Sequence, residues 1–164
     1  MAERPDFVGH WTQLEDPEPH IYRGDDEPMG LDAAIGERLG LTRIGIHHVR
    51  LPPGRRTSYP HAESAEEELV FVVEGRPDAW VDGHLHALGP GDCVAFPAGT
   101  GVCHRFLNNT AQEVRLIVVG EKPKDENRIR YPLNGAHEAT RPDAWKDWPP
   151  RPLGPHDGRA RFPG

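Results

Sequence analysis

The sequence predicts an all-β domain, an antiparallel barrel or sandwich with an irregular arm at each end. Two observations carry that expectation. The chain of 164 residues holds 18 Gly and 18 Pro. In a helix interior a Pro costs ~3 kcal/mol and a Gly ~1 kcal/mol, and an average helix needs ~11 residues. Only two windows of that length are free of both, His61–Glu74 and Val102–Val119. A helical bundle is excluded, and so is a doubly wound α/β fold with its crossover helices. Secondly, the apolar residues gather in short β-rich runs such as Leu69–Val73 and Leu116–Val119. A disordered chain would disperse them. One domain suits this length.

The elements follow in order. Residues 1–40 read as an arm, with Pro5, Pro17, Pro19 and Pro28 and an acidic stretch Asp25-Asp26-Glu27. Leu31–Ile35 suggests one short helical turn before Gly36. Phe7, Trp11 and Tyr22 imply that the arm docks on something, since a free tail gains nothing from aromatic rings. Residues 41–120 read as the core. Arg43–Leu51 is a strand stopped by Pro52-Pro53-Gly54. Glu68–Val73 is a strand ending at Glu74-Gly75. Ala79–Val81 and Leu85–Leu88 flank Asp82-Gly83, a hairpin signal. Cys93–Phe96 stops at Pro97-Ala98-Gly99, and Val102–Leu107 and Val114–Val119 are separated by Asn108-Asn109-Thr110. Short strands with close turns make a barrel or sandwich. Residues 121–164 return to Pro-rich composition, and Trp145 and Trp148 again suggest docking.

The formal net charge is −7. That balance argues against a nucleic-acid partner, which needs a concentrated positive surface. No apolar run approaches the ~20 residues of a membrane span, so no membrane partner is expected. The first residues lack the apolar stretch of a signal peptide. Two cysteines, Cys93 and Cys103, are too few for a secreted disulfide scaffold. A cytoplasmic protein with two ordinary thiols is the reading.

Two clusters could carry chemistry. In the first, His61-Ala62-Glu63 is followed by Glu66-Glu67-Glu68. On a strand, Glu68 shares a face with Val70 and Val72, and Glu67 with Leu69, Phe71 and Val73; periodicity does not decide which face points inward. In the second, His104, Phe106 and Asn108 share one face, and Cys103 and Arg105 the other, outward face. Cys103 therefore points away from His104 and is no activated nucleophile. Asp78, Trp80, His84 and His86 sit on a hairpin and read as surface residues.

Together the clusters resemble the cupin superfamily. Its first motif is Gly, five residues, His-x-His, three or four residues, Glu, six residues, Gly; this chain has Gly54, His61-Ala62-Glu63, Glu68 and Gly75. Its second is Gly, five residues, Pro-x-Gly, two residues, His, three residues, Asn; here stand Gly91, Pro97-Ala98-Gly99, His104 and Asn108. Three departures matter. His61 falls one place late, Glu63 replaces the second His, and the loop before His104 is two residues longer.

The resemblance implies a double-stranded β-helix, the jelly-roll barrel, over about residues 42–120. It implies a divalent metal ion held by His61, Glu63, Glu68 and His104. Zn²⁺ is the first expectation, and Fe, Mn or Ni suit the mixed N/O donors too. If Glu63 faces solvent, three ligands and an open position remain; in an enzyme Glu63 would either complete the shell or act as the catalytic base. His47 or His48 on the preceding strand could supply a further nitrogen. Phe106, Asn108 and Tyr59 are the substrate-facing positions. Two functions are open: an enzyme of isomerase, lyase or dioxygenase type on a small polar substrate such as a sugar or sugar phosphate, or a non-catalytic binding or sensor module with a structural metal. A small-molecule ligand is expected in either case. A homodimer is expected too, because sheet edges need cover that the arms could supply.

Overall fold

The computed structural model describes residues 4–162. In chain order its elements are α1 (Trp11–Leu14), β1 (Leu31–Ala33), α2 (Ile35–Arg38), β2 (Ile44–Leu51), β3 (Ala62–Glu63), β4 (Glu68–Glu74), β5 (Asp78–Val81), β6 (His84–Ala87), β7 (Cys93–Phe96), β8 (His104–Leu107), β9 (Val114–Glu121), β10 (Ile129–Arg130) and α3 (Gly135–Glu138). The strands form a five-stranded sheet in the order β1-β2-β9-β4-β7, a three-stranded sheet β6-β5-β8 and a pair β10-β3. All their pairings are antiparallel. The two larger sheets share one core. Val49 and Leu51 of β2, Val70 and Val72 of β4, and Val114 and Leu116 of β9 meet Ala79 of β5 and Phe106 of β8. This is the all-β jelly-roll barrel expected from the sequence.

Burial settles what periodicity left open on β4. Glu68, Val70 and Val72 point inward, while Leu69, Phe71 and Val73 lie on the exposed outer face. On β2 the inward set is Gly45, His47, Val49 and Leu51, with His47 level with Val118, which in turn pairs with Val70. A row of inward side chains thus runs from His47 across to β4.

The arms depart from expectation in two ways. Leu31–Ala33 is a strand, not a helical turn. It lies on the edge of β2, with Asp32 opposite Val49, and the helical turn starts only at Ile35. A sheet edge with unpaired amides outweighs local helix propensity here. After β10 has paired with β3, residues 145–160 form a second layer over the three-stranded sheet. Trp145 and Trp148 pack on Trp80, Cys103 and Leu107.

The expected outward face of β8 and the expected surface position of Trp80 are therefore corrected. Trp80, Cys103 and Arg105 are buried beneath that arm, and the Trp80 indole N–H donates to the His156 carbonyl oxygen at 2.9 Å. The arm docks along the β5–β6 turn, where Gly154 N donates to Asp82 O at 2.7 Å. Only Gly serves at position 83, since φ is +86° and a Cβ there would come within 2.4 Å of the Gly154 backbone. His84 remains exposed, as does His86.

Candidate metal centre

Three of the sequence-predicted ligands converge. The backbone between Gly54 and His61 runs beside β8. Thr57 N donates to Phe106 O, and His61 and His104 exchange a pair of amide–carbonyl hydrogen bonds at 3.2 and 2.9 Å. This close pairing places the two imidazoles side by side, with centroids 4.9 Å apart. Glu68 opens β4 directly opposite Phe96, and the Phe96 ring stacks on His104 at 3.4 Å. The result is a triad, His61, Glu68 and His104, whose donor atoms all lie within 4.8 Å of one another.

The donor chemistry fits a divalent ion. The His61 Nδ1–H donates to the Tyr59 carbonyl oxygen at 2.9 Å, which leaves Nε2 with its lone pair. In His104, Nδ1 faces the Val102 carbonyl oxygen and Nε2 faces Glu68 Oε1 at 3.1 Å. With each imidazole oriented through Nδ1, as metal-binding His residues held by a carbonyl are, the two rings and a Glu68 carboxylate oxygen lie close enough to share one ion. That ion would take the place of the proton between His104 Nε2 and Glu68. Burial opposes the charge on Glu68, yet the His104 hydrogen bond and the nearby His61 and His47 rings outweigh it and hold its pKa below the ordinary value. Burial lowers the pKa of His104, partly offset by Glu68. Ionised carboxylate and neutral imidazole are the ligating forms.

Glu63 lies outside this triad. It sits in β3, where Asn127 Nδ2 lies 3.4 Å from its carboxylate, among Glu66, Glu67 and His47 at the mouth. Burial, with Glu66 and Glu68 adding and His61 opposing, pushes its carboxyl up to about 7.

A cavity of about 300 Å³ opens beside the triad. Its walls include Phe106, as expected, with Met29, Val49, Val70 and Val118. Asn108 is elsewhere. It is fully buried and staples a loop, its amide donating to the carbonyl oxygens of Leu51 and Gln112 at 2.7 Å each while its Oδ1 accepts from Thr110. Tyr59 lines a separate recess under the arms and donates to Asp25 at 2.5 Å. Strand parity pointed Asn108 inward, but the strand ends at Leu107, so parity no longer holds there.

Two cavity residues went unnoticed as a pair. His47 Nδ1 lies 3.0 and 2.9 Å from the two carboxylate oxygens of Asp32, and both side chains line the cavity. No spacing rule links positions 32 and 47. Only the unforeseen strand β1 brings them together. His48, the other candidate nitrogen, faces outward and stacks under Trp11 with centroids 4.2 Å apart.

A jelly-roll barrel with a His, Glu, His triad at the wall of its cavity defines a class. Residues 47–120 match the family model for a cupin domain, and the barrel has the cupin fold. Among curated proteins the chain is similar to polyketide synthase CurC of Streptomyces cyaneus, 29% identical over 107 residues, 65% of either chain. Among solved structures it resembles a sugar phosphate isomerase of the cupin superfamily from Silicibacter pomeroyi. That match has 34% identity and a TM-score of 0.60 over 62% of this chain and 64% of the other. The polyketide cyclase RemF of Streptomyces resistomycificus shares the fold at 20% identity and a TM-score of 0.59, over 87% of this chain and 96% of RemF. The chain thus spans just under two thirds of the length of CurC and of the isomerase. No helix among the described residues is long and apolar enough to cross a membrane.

Proposed function

We propose that the protein is a divalent-metal-dependent enzyme that moves a proton at the carbon beside a carbonyl group of a small uncharged substrate. The observation that supports this reading is the cavity wall. His61, Glu68 and His104 stand on one side, the remaining wall is largely apolar, and none of its lining residues is Lys or Arg. A phosphorylated sugar would call for such a cation. Isomerising a ketose and cyclising a polyketone share their first step, loss of a proton next to a carbonyl. Of the three likenesses above 25% identity, two are to proteins described as sugar phosphate isomerases, which supports that step, and one is to a polyketide synthase.

His61 Nε2, Glu68 and His104 Nε2 would hold the ion, Zn²⁺ in the first instance and Fe²⁺, Mn²⁺ or Ni²⁺ as alternatives. Once bound, such an ion polarises a carbonyl oxygen. Three converging donors beside an open cavity favour this role over a structural metal, whose shell is closed by four protein ligands. Two free thiols, Cys93 exposed and Cys103 buried, fit a cytoplasmic setting. The proposal keeps a homodimer, but the arms fold back on their own barrel, so its interface would be the exposed apolar face of β4.

Metal analysis tests the centre. The purified protein should carry near-stoichiometric divalent metal, and His61→Ala and His104→Ala should each lose most of it. Chelation should lower the Tm, because the ion stabilises only the folded state. A protein that binds none of the four ions overturns the reading. Activity is read by ¹H NMR as exchange of carbon-bound protons into D₂O. The probes are 1-tetralone, dihydroxyacetone and dihydroxyacetone phosphate. Exchange of either uncharged probe supports the reading. Exchange of the phosphate alone overturns the uncharged substrate class, and no exchange of any overturns the chemistry.

A further inference from the structure

We infer that His47, oriented by Asp32, is the group that carries the proton between the substrate carbon and solvent; this rests on the reading above. The pair stands on the β1–β2 side of the barrel, in the same cavity as the triad but on different strands. Asp32 takes the Nδ1–H, so the neutral ring keeps its lone pair on Nε2. Nε2 is free of the Asp32 bond and lies over Gly45, where an added Cβ would sit 3.4 Å from it. The His47 side chain is 38% exposed, and it lines both the cavity and the acidic mouth formed with Glu63, Glu66 and Glu67. A base that must take a proton inside and release it outside needs this double access. His61 and His104 lack it, since their Nε2 atoms aim at the metal position.

In the step itself the α C–H bond breaks and its electron pair becomes the new C=C bond. The carbonyl π pair moves to oxygen, and the proton forms a bond to His47 Nε2. The imidazolium, paired with Asp32, then returns the proton to carbon or gives it to water at the mouth, so no oxidant or co-reactant is needed. The Asp32 hydrogen bond raises the His47 pKa above its ordinary 6.5, against burial and with help from Glu68. The other charged groups around the ring are Glu63, Glu66, Glu67 and Glu121 at the mouth, Glu37 of α2 and Lys122 after β9.

The test uses the metal-loaded full chain with the same uncharged probes. His47→Asn should slow proton exchange ~10²–10⁴-fold, the usual worth of a general base, with metal content unchanged. Asp32→Asn should keep the metal. It should also shift the acid limb of the exchange rate to lower pH, because the base works in its neutral form and has lost the carboxylate that favours the cation. The His47 imidazole, titrated by ¹H–¹⁵N NMR, should move the same way, a readout that a purely structural role for Asp32 would leave still. A His47→Asn protein within about threefold of the parent overturns the inference. So does one that has lost its metal, which would make His47 a ligand. An unmoved titration in Asp32→Asn overturns the role of Asp32. Absence of exchange in the parent itself falls on the proposed function instead, and the proton-carrying role falls with it.

Discussion

The two large sheets share a core but differ on their outer faces. On the three-stranded sheet, Trp80 of β5 is 0% exposed and Leu107 of β8 equally so, because the C-terminal arm lies over them. On the five-stranded sheet, Phe71 at the centre of β4 is 40% exposed, with Leu69 and Val73 beside it. Both faces carry large apolar side chains at alternate positions. Alternation therefore tells which residues share a face, but not whether distant chain covers it.

The largest test of that contrast is on the covered side. Trp80→Ala should cost ~3–5 kcal/mol in denaturant unfolding, the usual range for deleting a buried Trp. Thiol chemistry reads the same cover more locally. Cys93 is exposed, whereas burial and the neighbouring Asp82 push the Cys103 thiol up to about 12. A thiol reagent should titrate one cysteine in the folded parent and two in Trp145→Ala, which loosens the arm above Cys103. Equal reactivity of both cysteines in the parent would mean that the arm does not cover the sheet.

The five-stranded sheet has a small cover of its own at β2, held by one stacked indole and by charged hydrogen bonds. Trp11 stacks on His48, and Arg50 binds Glu15 through two hydrogen bonds of 2.7 Å. The Arg50 hydrogen bond holds the Glu15 pKa below its ordinary 4.5, against burial. Burial likewise lowers His48 below its ordinary 6.5, with Arg115 adding to the effect. Both groups bind protons less readily in the folded state than in the unfolded chain. Their contribution is thus complete above pH 6.5 and is lost as pH falls, first through His48 and then, below 4.5, through Glu15. The N-terminal arm should release in acid, with a cost of about 1–3 kcal/mol for the charged hydrogen bonds. Trp11 fluorescence, followed in a Trp80→Phe, Trp145→Phe, Trp148→Phe background, should report this release before far-UV circular dichroism reports loss of the sheets. Coincident transitions would mean that the arm is not a separate layer.

This contrast also shows how much could be read without coordinates. Apart from the two-residue β3, the strands between Ile44 and Glu121 were legible to within two residues, because Gly and Pro punctuate them and β-branched residues fill them. His61, Glu68 and His104 were legible because their motifs tie them to turns and strand starts. The arms were not. Their pairing partners lie far along the chain, so nothing local announced strand β1, the buried faces of Trp80 and Arg105, or the Asp32–His47 pair. Asn108 was misplaced for a smaller reason. It follows the last residue of β8, and a parity argument fails one position beyond a strand end.

The smallest expected effect lies on the bare face. In an isolated barrel, Phe71→Lys replaces a ring already 40% exposed, so unfolding should change by no more than ~0.5 kcal/mol. The neighbourhood of Leu69 and Val73 is apolar, however, and β4 is flanked by β7 and β9 within the sheet. Its amides are therefore paired, and only its side-chain face is open to a partner. If a second copy covers this face, as proposed, the substitution places a charge at the centre of an apolar contact. Light scattering at micromolar concentration should then show the parent as a dimer and Phe71→Lys as a monomer of nearly unchanged Tm in the dilute limit. A dimeric Phe71→Lys would move the interface to another surface, and a monomeric parent would end the proposal of a homodimer. One sheet is covered by its own chain at a stability cost of several kcal/mol when the cover is broken. In the proposed dimer the other would be covered by mass action, and its cost would appear only in the concentration dependence of stability.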